Sequence, residues 1–181
     1  HINGMTIHSF FGIGIRESVD EYFLDSLVQK EFLHKRLSKL KVLIIDEISM
    51  VSPDLFLSID KILRAFKYPG KPFGGVQLVL SGDFFQLPPV SRSSNSSRFA
   101  WQAESWKDAE LKSCYLTEKF RQSDQSLINI LDEIRSGEIS EESMEVFRSC
   151  YRKELKSDFK VTKLYTHNKD VDRINEQELE S

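Results

Sequence analysis

An α/β fold built on a parallel sheet flanked by helices is predicted by three observations. Two short apolar runs, Lys41–Ile45 and Val76–Ser81, are rich in β-branched residues and lack the alternation of a half-exposed strand, which predicts parallel, buried strands. Between them Leu55, Phe56, Ile59, Ile62, Leu63 and Phe66 fall on one helical face. Each apolar run then ends abruptly in polar residues. Strand, helix and strand in that order make a βαβ unit, and hence a parallel sheet.

At the start of the chain, Gly4–Ile15 is apolar and punctuated by glycine, which predicts a strand edge and then a loop. Val19, Tyr22, Phe23, Leu27, Phe32, Leu33 and Leu37 recur at helical spacing and predict one or two helices over residues 18–38. Ser52-Pro53 starts the central helix, with serine as cap and proline in the first turn, and Pro69-Gly70 ends it. Gly74-Gly75 marks a tight turn before the second strand. Ser91–Ser97 reads as a polar, flexible loop whose serines are solvated. Trp101 and Trp106 lie in an amphipathic stretch and are expected in the core.

Further on, Ser113–Leu116 is a strand candidate. Leu127, Ile128, Leu131 and Ile134 form a helical face closed by Gly137. Met144, Phe147 and Tyr151 mark another helix, with Glu141 and Glu142 in its first turn, where negative charge suits the helix dipole. Val161–Tyr165 is the last strand candidate, and Asn168 is expected to cap a short helix carrying Val171 and Ile174. No internal repeat is present.

Composition sets limits. With 181 residues, 40% apolar and 29% charged, the chain can form one ordinary domain or parts of two, with a useful core. A formal net charge of −3 neither requires nor excludes nucleic acid, because binding depends on local basic grooves. The two cysteines, Cys114 and Cys150, have no C-x-x-C spacing and read as free thiols in a reducing compartment. No run approaches the ~20 apolar residues of a membrane span. His1-Ile-Asn-Gly has neither the charged lead nor the apolar stretch of a signal peptide, and His1 falls inside a continuing motif, so the chain reads as a fragment or trimmed product.

The chemistry sits where the strands end. Four apolar residues followed by Asp46-Glu47 resemble the second phosphate-site motif of P-loop nucleotidases. Mg²⁺ bound to a triphosphate keeps several waters and needs an oxygen ligand from the protein, a role suited to Asp46. Glu47 could then orient or deprotonate an attacking water. A surface-exposed acidic turn is the competing account of the same pair. The string Gly82-Asp-Phe-Phe-Gln86-Leu-Pro-Pro89 favours the first account. Glycine permits a tight exit from the sheet, two prolines stiffen the end of the loop, and Gln86 is held rigidly between them. Its amide both donates and accepts hydrogen bonds, so it can link a γ-phosphate to its water.

Four strings taken together resemble the petite-integration-frequency (PIF) family of superfamily-1B DNA helicases. These are Met5–Gly14, Leu43–Met50, Pro72–Val90 and Tyr115–Gln122, in the family's order over most of the chain. The Asp-Glu pair is generic, whereas the long third string is specific. The resemblance implies an incomplete P-loop helicase core: residues 1–117 as most of a first RecA-like lobe, and 118–181 as the start of a second. It implies a monomeric, RecD-like motor that uses ATP and Mg²⁺ to move 5′→3′ along single-stranded DNA. Forked or structured DNA would be unwound in genome maintenance, including repair, recombination and telomere maintenance. No membrane is implied, and the expected location is intracellular: nucleus or mitochondrion in a eukaryote, cytoplasm in a bacterium.

By the same resemblance Asp46 holds Mg²⁺, Glu47 activates water and Gln86 senses the γ-phosphate. Arg121 corresponds to an arginine finger, whose permanent charge suits a transferring phosphoryl group. Thr6, His8, Ser9 and Phe10 match an early DNA-contact region, with Phe10 or Phe11 either stacking on a base or lying in the core. Pro88 and Pro89 are implied to line the same strand path. Lys35, Arg36, Lys67 and Lys71 are candidates for backbone contacts or simply surface charges. Leu164–Asn175 resembles a segment of the family's second lobe, read as strand and helix cap.

The departure from the pattern is the absence of G-x-x-x-x-G-K-S/T from the 181 residues. The phosphate-cradling loop is expected upstream of His1, and the later motifs beyond Ser181. The alternative expectation is a catalytically inactive helicase-like fragment with at most weak single-stranded DNA binding.

Overall fold

A computed structural model of the chain describes residues 4–90, 99–153 and 162–179. The Ser91–Ser97 loop and Val161 lie outside the described residues, as do His1, Ile2 and Asn3. The chain divides into two compact units, His1–Glu118 and Lys119–Ser181.

In the first unit Thr6 caps a single helical turn, α1 (Ile7–Phe11), its Oγ1 accepting from the Ser9 amide at 3.3 Å, and Gly12 closes the turn in the left-handed conformation. This corrects the strand edge predicted for Gly4–Ile15. A capped turn wins there because it places Phe11 and Ile13 fully inside the core. The helical stretch over residues 18–38 is two helices, α2 (Glu21–Val28) and α3 (Glu31–Leu37). Asp20 caps α2 by accepting from the Phe23 amide at 2.7 Å.

The two strands are β1 (Val42–Ile45) and β2 (Gln77–Leu80), paired parallel with Val42 opposite Gln77 and Ile45 opposite Leu80. Helix α4 (Pro53–Phe66) connects them, with Ser52 Oγ accepting from the Leu55 amide at 3.2 Å and Pro53 in the first turn. The predicted βαβ unit is present. Leu43 and Ile45 share one buried cluster with Leu55, Phe56, Ile59, Ile62 and Leu63. On the other face Val42 and Ile44 are 42% and 59% exposed, which corrects the expectation of strands buried on both sides. Among the described residues, cover is supplied to one face only.

Entry into β2 is fixed by a buried carboxylate. Asp60 of α4 accepts from the Phe73 amide at 2.5 Å and from Arg64 Nε at 2.8 Å to each oxygen. Phe73 and Gly74 both have positive φ, and a Cβ at Gly74 would collide with the Leu63 carbonyl oxygen, so only glycine fits beneath the helix end. After the second strand, a 3₁₀ turn at Ala100–Gln102 leads into α5 (Glu104–Asp108). Trp106 is half-buried against the core as expected, but Trp101 is exposed and stacks on Phe99 instead.

Ser113–Leu116 is not a strand. Tyr115 and Leu116 are almost fully exposed, and the run forms no ladder with either strand of the described sheet.

The second unit is helical in its described residues. Asp124 Oδ1 accepts from the amides of Ser126 and Leu127 and starts α6 (Gln125–Ser136), which Gly137 ends in the left-handed conformation. Ser140 caps α7 (Glu141–Cys150), and its amide and hydroxyl both donate to Glu133 of α6. Helix α8 spans Asn168–Leu179, with Asn168 as its first residue. Residues 162–165 carry no strand, and Leu164 is exposed. Cys114 and Cys150 are exposed free thiols. No described helix is long and apolar enough to cross a membrane.

Candidate active site

The candidate site is built on the carboxyl ends of the two paired strands. The ladder runs past the strands themselves: the Ser81 amide donates to the Ile45 carbonyl at 2.9 Å, and the Ile48 amide donates to the Ser81 carbonyl at 3.0 Å. That second bond closes the chain back on the sheet just after Asp46-Glu47. Both acids are thereby held in a short link between a strand and a 3₁₀ turn, Ile48–Met50, and both are exposed. Glu47 has φ 54° and ψ 46°, a left-handed conformation uncommon for a residue with a side chain, and its amide donates to Asp46 Oδ1 at 3.0 Å. Strained backbone at a strand end turns the second acid away from the alternation that would otherwise send it to the opposite face.

The Gly82–Gln86 turn leaves β2 at this same edge. Gly82 passes directly over the Ile48 amide, where no side chain fits. Asp83 then organises the turn: its Oδ1 accepts from the Phe85 amide at 3.0 Å and its carbonyl from the Gln86 amide at 2.9 Å. Its Oδ2 lies 3.5 Å from Gln86 Nε2, a long contact that orients an otherwise exposed amide. Asp83 was not among the residues singled out in the sequence. Its signal was an aspartate two residues before a backbone amide in a glycine-led turn.

The structure thus brings Asp46, Glu47 and the Gln86 turn to one sheet edge. Mg²⁺ with a nucleotide is held by one or two carboxylates plus phosphate oxygens, and exposed Asp46 at the strand end fits that requirement. Arg121 belongs to the second unit, exposed, in a segment tied to α6 on both sides by the Lys119–Asp132 ion pair and the Asp124 cap.

The remaining candidates fall elsewhere. Thr6 uses its hydroxyl as the α1 cap, while Ser9 is exposed and His8 half-buried. Phe11 is the core residue of the aromatic pair. Phe10 is half-buried, with the Arg36 guanidinium 5.4 Å from its ring centre. Arg36 Nη1 also donates to the Phe10 carbonyl at 2.6 Å, and Lys67 donates to the Leu40 carbonyl at 2.7 Å, so both cations have structural work. Lys35 pairs with Glu31 on the α3 surface. Pro89 is buried and Pro88 exposed, so of the two only Pro88 offers its ring to solvent.

Comparison with known proteins places this chain in a family. The model of PIF1-like helicases matches residues 1–145. The ATP-dependent DNA helicase Pif1 of Psychrobacter sp. (strain PRwf-1) is 41% identical over 189 aligned residues, covering 99% of this chain and 28% of that protein. The human ATP-dependent DNA helicase PIF1 is 38% identical, again over 99% of this chain and 28% of its own length. The Pif1 helicase from Bacteroides, crystallised with ADP-AlF3 and single-stranded DNA, superposes with a TM-score of 0.84 at 34% identity, covering 98% of this chain and 44% of that one. The chain therefore spans just over a quarter of the length of these curated relatives. With four-fifths of its residues inside the family match and an incomplete RecA-like α/β core in place, the chain belongs to the PIF1-like helicases.

Proposed function

We propose that this chain is the middle of an ATP-driven 5′→3′ DNA helicase, comprising most of one RecA-like lobe, residues 1–117, and the start of a second, 118–181. The observation that carries the reading is the pairing of Asp46-Glu47 with the Gln86 turn at one edge of a parallel sheet, tied by the Ile48-to-Ser81 hydrogen bond. Asp46 holds Mg²⁺, which supplies charge neutralisation on the phosphates. Glu47 orients the attacking water and accepts its proton. Gln86 hydrogen-bonds the γ-phosphate region and registers its loss. Arg121 neutralises charge on the transferring phosphoryl group. Single-stranded DNA, from forked or structured substrates, runs along Thr6, His8, Ser9, Phe10 and Pro88, with Pro89 as the buried support of Pro88, in a monomeric motor.

The test uses the full-length protein that contains this chain. Glu47→Gln should lower DNA-stimulated ATP hydrolysis by at least ~100-fold while nucleotide affinity stays within a few-fold, since it removes a base and leaves the binding groups. Turnover close to that of the unaltered protein would overturn the assignment.

A further inference from the structure

The turn that carries Gln86 has an anchor outside the strand ends. Residues 83–86 differ in environment: Phe85 and Gln86 are exposed, whereas Phe84 is half-buried and packs against the main core. The Phe84 ring meets Phe99 edge-to-face, with centroids 5.5 Å apart and planes at 84°, and meets Trp106 at 6.2 Å and 67°. Trp106 rests in turn on Phe56 of α4 at 5.4 Å, and Phe56 on Phe73 at 5.1 Å. The socket walls come from residues 99–106, a segment with no role in the site described above.

We propose that Phe84, held in the Phe99–Trp106 socket, is a positioning residue that fixes Gln86 at the sheet edge carrying Asp46 and Glu47. The proposal rests on the hydrolytic reading of that edge. Gly82 allows the turn to leave the sheet but does not direct it, because glycine has no conformational preference of its own to impose. The Asp83 hydrogen bonds to Phe85 and Gln86 shape the turn. Phe84 ties it to the core through the Phe99 and Trp106 rings. Edge-to-face contacts set an orientation as well as a distance, so the ring holds the backbone at residues 84–86 in one position. A catalytic group displaced by about an ångström loses much of its effect, whereas ground-state binding through other residues is little changed.

The experiment compares Phe99→Leu, Phe99→Tyr and Trp106→Leu with the unaltered full-length protein at saturating single-stranded DNA, with Glu47→Gln measured alongside. Phe99→Leu and Trp106→Leu should lower kcat for ATP about tenfold with KM within about twofold, and Phe99→Tyr, which keeps the ring, should restore kcat to within about twofold. Leu27→Ala, a core variant away from the turn, controls for loss of stability. Unchanged kcat in both socket variants overturns the proposal, as does an equal fall in Leu27→Ala. If Glu47→Gln retains turnover, the hydrolytic reading itself falls and the socket proposal falls with it. If Glu47→Gln abolishes turnover and the socket variants do not lower it, only the socket proposal is lost.

Discussion

Gly82 lies so close to Ile48 that a Cβ on it would stand 2.8 Å from the Ile48 amide nitrogen and 3.0 Å from Cγ2. The Ile48 amide is the group that donates to Ser81 and closes the acidic link onto the sheet. The two halves of the candidate site are therefore pressed together at a residue that tolerates no side chain.

Gly82→Ala should force these strand ends apart. The expected cost is about 1–3 kcal/mol of stability from overpacking against backbone. In the full-length protein, DNA-stimulated ATP hydrolysis should fall at least about tenfold. Gly70→Ala is the control, since a Cβ there meets nothing within 4 Å, and its effect should stay within about 0.5 kcal/mol. Denaturant midpoints and steady-state turnover measure both effects. Equal behaviour of the two variants would show that the close approach is not maintained in solution.

Arg36 separates a positioning role from a phosphate contact. It donates to the carbonyls of Phe10 and Ser9 at the end of α1, at 2.6 and 3.4 Å. If single-stranded DNA lies along α1, Arg36→Ala should weaken oligonucleotide binding several-fold by loosening that turn. The slope of log affinity against log salt should stay the same, because no phosphate contact is lost. A titration at several salt concentrations decides the matter. A slope reduced by about one unit would instead make Arg36 a direct phosphate ligand.

Glu133 gives the helical unit a dependence on acid. Hydrogen bonds from the Ser143 hydroxyl and the Ser140 amide hold its carboxyl below the usual carboxylate range. A carboxyl whose pKa is lower folded than unfolded contributes stability above its unfolded pKa and loses that contribution as pH falls through the folded value. The α6–α7 junction should therefore loosen on acidification below the ordinary glutamate range. Glu133→Gln should remove this dependence, so that variant and unaltered protein converge at low pH. Helical circular dichroism measured from neutrality downward checks it, and parallel pH profiles for the two would contradict it.

Local signals in the sequence were strong where one residue type answers one physical need. Ser52-Pro53 and Gly137 begin and end helices because a hydroxyl acceptor, a fixed φ and a missing Cβ are properties of single residues. The βαβ unit was legible because burial imposes periodicity. Strands failed where apolar content alone suggested them: among the described residues Ser113–Leu116 and residues 162–165 pair with no strand, and pairing is a property of two segments, not of one. The helical turn at Ile7–Phe11 was missed because a short capped turn has too few residues to show a period.

The sequence by itself determined the chemistry of the edge: two acids after one apolar run, a glycine-led turn with an amide after another, and a family pattern that joins them. Those are matters of residue type and order. Only the tertiary structure decided the register of the two parallel runs, Ile45 opposite Leu80, and that Gly82 must be bare to let Ile48 pass. It also decided that Phe84 is held by Phe99 and Trp106, and that Arg36 closes the end of α1. These are contacts between segments far apart in the chain, and close packing in three dimensions sets them.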